Sequence, residues 1–256
     1  MKWTQVSYLY DGTFFGFLTC VFDSYQYREE PADFVSFDRA CASFYPQRAV
    51  ETRREDARRV YRSLEEKLGG EGKRWLVRGF LTCLPEKELW LWRFLRLGYA
   101  QGPGFTRNLA DPVVCQIHRA VRHLEHEAHL YTGFVRFSQT EGALVGQITP
   151  KNRVLPLLRG HFCARFPQER FLLYDKTHRE ALVHQPGRWA IVPMDSLELD
   201  APGSEEAAYR RLWRKFYDTI AIEGRENPRC RMTQMPKRYW ADMTEFQTDE
   251  KTLPGR

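Results

Sequence analysis

The heptapeptide HLEHEAH, His123 to His129, sets three imidazoles three residues apart. On a helix that spacing makes a slanting stripe with Glu125 four residues before His129, a conceivable metal site. The zincin pattern HExxH is absent, because the histidines step by three rather than four. A solvated polar face explains the same residues, and no metal is assigned to them. His129 beside Glu127 or Glu125 fits a different role, that of an oriented acid or base. Asp175 is the third candidate for such chemistry. It follows the apolar run FLLY and opens the turn DKTHRE, where a carboxylate at a strand end can activate water or simply make the turn. Asp11, ahead of Gly12, has the same two readings. His161, inside RGHFCARF, reads as a histidine at a core edge, and Arg165 in the same stretch as a ligand for phosphate or carboxylate.

Basic residues offer a second kind of chemistry. The chain carries a formal charge of +6, and its pI of about 9.0 leans towards anionic partners such as nucleic acid. The excess is gathered in stretches. Gln47 to Arg62 holds six Arg against three acids, and Arg225 to Trp240 holds five basic residues against one acid. In NPRCRMTQMPKRYWADMTEF, Pro236 suits the first turn of a short helix. Arg229, Arg231, Lys237 and Arg238 would then surround exposed amides as a phosphate site, with Tyr239 and Trp240 stacking on a base or packing inward. The competing reading is a docked tail whose charges are solvated.

Several classes are excluded by what is missing. Six cysteines are scattered without a CxxC pair, which argues against a zinc ribbon, a disulfide scaffold or an iron–sulfur site in this chain, and fits reduced thiols in the cytoplasm. No GxSxG, Walker loop or dinucleotide fingerprint occurs, and no cofactor is assigned. No apolar run has the ~18 residues that a membrane helix needs.

The elements that must position these residues follow from periodicity. VSYLY reads as a short first strand ending at Asp11-Gly12, and Thr13 can cap a helix with Phe14, Phe17, Leu18, Val21, Phe22 and Tyr25 on one face. A second helix is expected from Arg48 to Leu68, stopped by GGEG, and a third from Glu86 to Leu97, stopped by QGPG. Asp111-Pro112 is a strong helix start. After Gly133 the period changes to strand, strand, helix (around Val154 to Phe166), then RFLLYD, EALVHQ and RWAIVP as further strands. From Ser204 a last long helix is expected to turn Tyr209, Leu212, Trp213, Phe216 and Ile220 to the core and its arginines outward. The expected fold is α+β: a helical N-terminal region with a short first strand over residues 1–85, an α+β domain with a central antiparallel sheet and packed helix over 86–246 that closes on C-terminal helices, and a tail at 247–256.

The strings YDGTFFGFL, EAHLYTGFVRF, ITPKNRVLPLLRGHFCARFP, LLYDKTHREAL and NPRCRMTQMPKRYW, in this order, resemble a bacterial family of DNA-metabolism proteins. In that family the larger C-terminal part is a domain of unknown function, sometimes fused to a family 4 uracil-DNA glycosylase. The resemblance implies a link to a radical SAM protein of DNA modification or repair, which would bring the iron–sulfur cluster. It also implies that uracil excision would need a separate glycosylase, since residues up to Arg256 leave no room for one. Asp11, Glu127, His129, His161, Arg165, Asp175, Arg231, Pro236, Arg238, Tyr239 and Trp240 match the family's pattern, without assigned roles. Three readings stay open, in this order: a DNA-binding accessory partner of the radical SAM enzyme, an enzyme acting on a nucleobase or nucleotide through His129, Glu127 and Asp175, and a protein-interaction scaffold without DNA binding. No membrane partner is expected.

Overall fold

The computed structural model describes residues 3–39, 43–140, 142–197, 204–220, 229, 232 and 235–246. The chain divides into two compact units, Met1–Leu124 and Glu125–Arg256. It is an α+β protein, and no helix among the described residues is long and apolar enough to cross a membrane.

In the first unit β1 (Thr4–Tyr10), α1 (Phe14–Tyr27) and β2 (Glu29–Ser36) are followed by β3 (Gln47–Ala49), α2 (Arg54–Phe80), α3 (Lys87–Gln101) and the first half of α4 (Pro112–Phe134). The expected first strand exists, but it is the middle of a three-stranded parallel sheet in the order β2-β1-β3. A helix between β1 and β2 returns the chain in the same direction, which makes their pairing parallel. Pro31 conceals β2 from a reading by pattern. It is tolerated because β2 is an edge strand and the register slips beside it, between Val6 and Ser7.

Thr13 caps α1 as expected, its hydroxyl accepting from the Gly16 amide at 2.9 Å. Phe17, Leu18 and Val21 of its aromatic face are buried with Leu64, Leu91 and Ile117 in the core of this unit. The second helix runs further than its glycines suggest. At Gly69 (φ 73°, ψ 169°) the backbone leaves helical geometry and then resumes it to Phe80, so GGEG kinks α2 instead of ending it. Gly102 (φ 77°) and Gly104 (φ 96°) do terminate α3, in the left-handed half of backbone space where glycine is favoured. Asp111 starts α4 as expected, its carboxylate accepting from the amides of Val113 and Val114.

The second unit contains the rest of α4, then β4 (Phe137–Thr140), β5 (Ala143–Ile148), α5 (Leu155–Arg165), β6 (Phe171–Asp175), β7 (Glu180–Gln185), β8 (Arg188–Pro193) and α6 (Ser204–Ile220). The sheet order is β4-β5-β6-β7-β8. One correction is needed: the sheet is mixed, not antiparallel. β5 and β6 run parallel, because α5 lies between them as a crossover, while the hairpin-joined pairs are antiparallel. Phe162 of α5 packs edge-on to Phe137 of β4 at 5.4 Å between centroids.

A second correction concerns α6. Tyr209 (62% exposed) and Leu212 (63%) face outward, while the Arg210 guanidinium turns to Ser138 Oγ at 2.6 Å and Arg214 Nε donates to the Thr244 carbonyl. Apolar spacing identified the stripe but not which side has a neighbour to cover it.

Candidate functional site

β5 and β6 end side by side, Ile148 opposite Asp175. The loop Thr149–Asn152 leaves β5 there, and the β6–β7 turn begins there. Across these strand ends runs a C-terminal strap of two 3-10 turns, Lys237–Asp242 and Thr244–Phe246. Pro236 (φ −53°, ψ 141°) stands just ahead of the first turn, which at six residues is too short to concentrate a helix dipole for phosphate.

Three carboxylates tie the strap down. Glu127 of α4, 1% exposed, accepts from the amides of Lys151 at 3.0 Å and Asn152 at 2.8 Å and from Asn152 Nδ2 at 2.6 Å. It also pairs with Arg238 Nη2 at 3.0 Å. Asp242 accepts from Thr149 Oγ1 at 2.8 Å and Lys176 Nζ at 2.5 Å. Glu245, its side chain fully buried, pairs with Arg136 at 2.6 Å and accepts from Trp213 Nε1 at 3.2 Å. Burial works against the Glu245 charge, yet the Arg136 guanidinium holds its carboxyl below the usual carboxylate range. Asp175 forms a fourth, separate node: it accepts from the amides of Thr177 and His178 and meets His178 Nδ1 at 2.7 Å, within its own turn.

The carboxylates expected to do acid–base work, Glu127 and Asp175, thus both accept from backbone amides. His129 is exposed and sits two residues from Glu127, a spacing that places the two on different faces of a helix. The structure does not bring His129, Glu127 and Asp175 onto one shared hydrogen-bond network. His123 and His126 are exposed with it, and among the described residues no group of three or more His, Cys, Asp or Glu side chains is disposed to hold a metal ion.

The residues expected to bind nucleic acid also separate. Tyr239 is 1% exposed and packs inward on Tyr131 and Phe134, at 4.8 and 5.5 Å between ring centroids. Its hydroxyl accepts from Arg238 at 2.5 Å. Burial lowers the stability of the Arg238 charge, but Tyr239 and Glu127 hold its pKa above the ordinary arginine value. Trp240 donates to the Met235 carbonyl at 3.1 Å and stacks on Phe246 at 4.5 Å. For this pair of aromatics the docked-tail reading describes the contacts. Lys237, Arg165 and Arg229 are exposed, Arg165 lying over the Phe166 ring at 5.5 Å. Arg231 lies outside the described residues. His161 is exposed beside Phe162, and Asp11 joins the N-terminal turn of α1, accepting from Thr13 and from Thr52 Oγ1 at 2.6 Å.

A further row of exposed basic residues lies in the first unit. Arg54, Arg58 and Arg62 are exposed at successive turns of α2, and none forms an ion pair among the described residues. Arg53, next to them, is committed to Asp23 and Asp56. Their spacing of four was visible in the sequence as a signal for one helical face.

The fold is thus a two-unit α+β chain whose second unit closes a mixed sheet with a carboxylate-anchored strap. Residues 85–245, more than half of the chain, match the family model of a domain of unknown function, DUF4130, and the chain belongs to that family. No curated protein and no solved structure matches it.

Proposed function

We propose that the chain is a DNA-binding accessory protein of DNA modification or repair, acting in the cytoplasm beside a radical SAM partner. The observation that carries the DNA contact is the row Arg54, Arg58 and Arg62 on α2, exposed and without ion pairs among the described residues. Solvated guanidinium groups four residues apart follow one helical face and suit a row of phosphates, releasing counterions when they bind. The resemblance of the five ordered motifs supplies the DNA-metabolism context and the partner. The acid–base alternative has less support, because Glu127 and Asp175 already bind backbone amides.

The test is fluorescence anisotropy with single- and double-stranded DNA at low salt, alone and with the radical SAM partner. Binding that weakens steeply and log-linearly with salt is expected; no binding under any of these conditions overturns the reading. A scaffold reading draws on one different observation, the outward Tyr209 and Leu212 of α6, and predicts partner capture that is indifferent to salt.

A further inference from the structure

Within the first unit α1, α2 and Tyr99 of α3 line an open cleft of about 710 Å³. Phe22 and Tyr25 line it from α1, Arg59, Ser63 and Lys67 from α2, and Tyr99 of α3 adds a third aromatic ring. The α2 residues recur at steps of four, so one face of that helix presents a cation, a hydroxyl and a second cation in line. Tyr25 meets Tyr99 edge-on at 5.7 Å and is 38% exposed. The Tyr99 hydroxyl is 3.0 Å from Ser63 Oγ, which fixes its ring. Arg59 leans over Phe22 at 5.8 Å and takes no ion pair among the described residues. Lys67 meets Glu66 at 2.9 Å, but both side chains are more than half exposed, so this pair is screened and easily exchanged for another anion.

We propose that this cleft receives a nucleotide of a single DNA strand, its base against Phe22, Tyr25 and Tyr99 and the neighbouring phosphates on Arg59 and Lys67. The inference rests on the DNA-binding reading above and names the form of DNA that the first unit selects. An aromatic-lined cleft flanked by cations is the complement of a base flanked by phosphates. A duplex keeps its base faces inside the stack, so only an unpaired nucleotide can fill the cleft. Arg59 and Lys67 are eight residues apart, about 12 Å along the helix axis. The two cations therefore meet different phosphates, one on each side of the bound nucleotide. Burial pushes Tyr25 up to about 12 and raises Tyr99 as well, so both phenols stay neutral and add no charge to repel phosphate.

The test compares an oligo-dT strand with a duplex of equal length by anisotropy at low salt, and free dTMP by calorimetry. Three proteins enter beside the wild type: Tyr25→Ala, the exposed pair Arg59→Ala with Lys67→Ala, and the triple change of Arg54, Arg58 and Arg62 to Ala. Tyr25→Ala should weaken single-strand binding about tenfold, the size of one lost base stack, and leave duplex binding unchanged, and the cation pair should weaken single-strand binding more than duplex binding. The triple change should weaken both. The double cation variant keeps the test valid if Tyr25→Ala unfolds. Unchanged single-strand affinity in the cation variant overturns the cleft, and leaves the DNA-binding reading standing if the triple change still weakens binding. A wild type that binds dTMP but neither DNA form overturns the DNA reading and assigns the cleft to free nucleotides. No binding to any probe overturns both.

Discussion

Glu127 and Arg238 meet at 3.0 Å, a carboxylate with almost no solvent exposure holding a guanidinium 111 positions further along the chain. The same carboxylate gathers the Lys151 and Asn152 amides, so one side chain joins α4, the loop after β5 and the strap.

Replacing Glu127 with Ala should therefore cost the second unit about 1–3 kcal/mol, the usual penalty for orphaning buried amides, with the half-buried Arg238 guanidinium losing its carboxylate as well. Glu127→Gln, which keeps acceptor capacity on one atom, should cost less. Denaturant unfolding measures both, and equal stabilities for Ala and wild type would show that the anchor carries nothing.

Acid should loosen the strap through Glu245. Its folded-state pKa is depressed, so its contribution is present above the ordinary carboxylate pKa of about 4.3 and is lost as pH falls through the lower folded value. Unfolding free energies from pH about 6 down to about 3 should fall less steeply for Glu245→Gln than for the wild type. Parallel profiles would contradict this linkage.

Gly16 has no room for a methyl group. A Cβ there would stand 2.1 Å from Asp11 Oδ1 and 2.9 Å from Thr52 Oγ1, inside the hydrogen-bonded turn that starts α1. Gly16→Ala should destabilise the first unit by about 1–3 kcal/mol despite alanine's better helix propensity. A neutral or stabilising result in thermal unfolding would show that the turn yields freely.

Leu212→Ala and Arg210→Ala separate the two sides of α6. With its side chain in solvent, Leu212 should matter by less than about 0.5 kcal/mol. Arg210 binds Glu206 and Ser138, and its loss should cost about 1 kcal/mol or more. The reverse order would return the apolar stripe to a core.

Much of this architecture was legible from periodicity and caps. Thr13 and Asp111 announce their helices because capping is local chemistry, and the strand–helix–strand order after Gly133 is a change of period that any half-buried chain must show. The parallel pairing of β5 with β6 and of β1 with β2 was not, since strand direction depends on where a crossover returns. Pro31 hid β2, because its tolerance comes from an edge position that the sequence does not state. The inward turn of Arg238 and Tyr239 and the outward turn of Leu212 share one cause. A run of basic and apolar residues says what a surface offers, while the neighbours that neutralise or cover it come from distant segments: Glu127 for Arg238, and Ser138 for Arg210.

The strap has a consequence for biosynthesis. Among the described residues, 237–246 lie after the strands and helices of the second unit, yet they supply the Arg238 countercharge for Glu127 and the clamp between Thr149 and Lys176. A ribosome delivers them after the strands that they clamp. The three parallel strands of the first unit lie within its first fifty residues and the helices packed in its core before residue 125, so that unit can close while translation continues. The second keeps its Glu127 carboxylate without the Arg238 countercharge until the strap emerges, which leaves its sheet incompletely closed for that interval of synthesis.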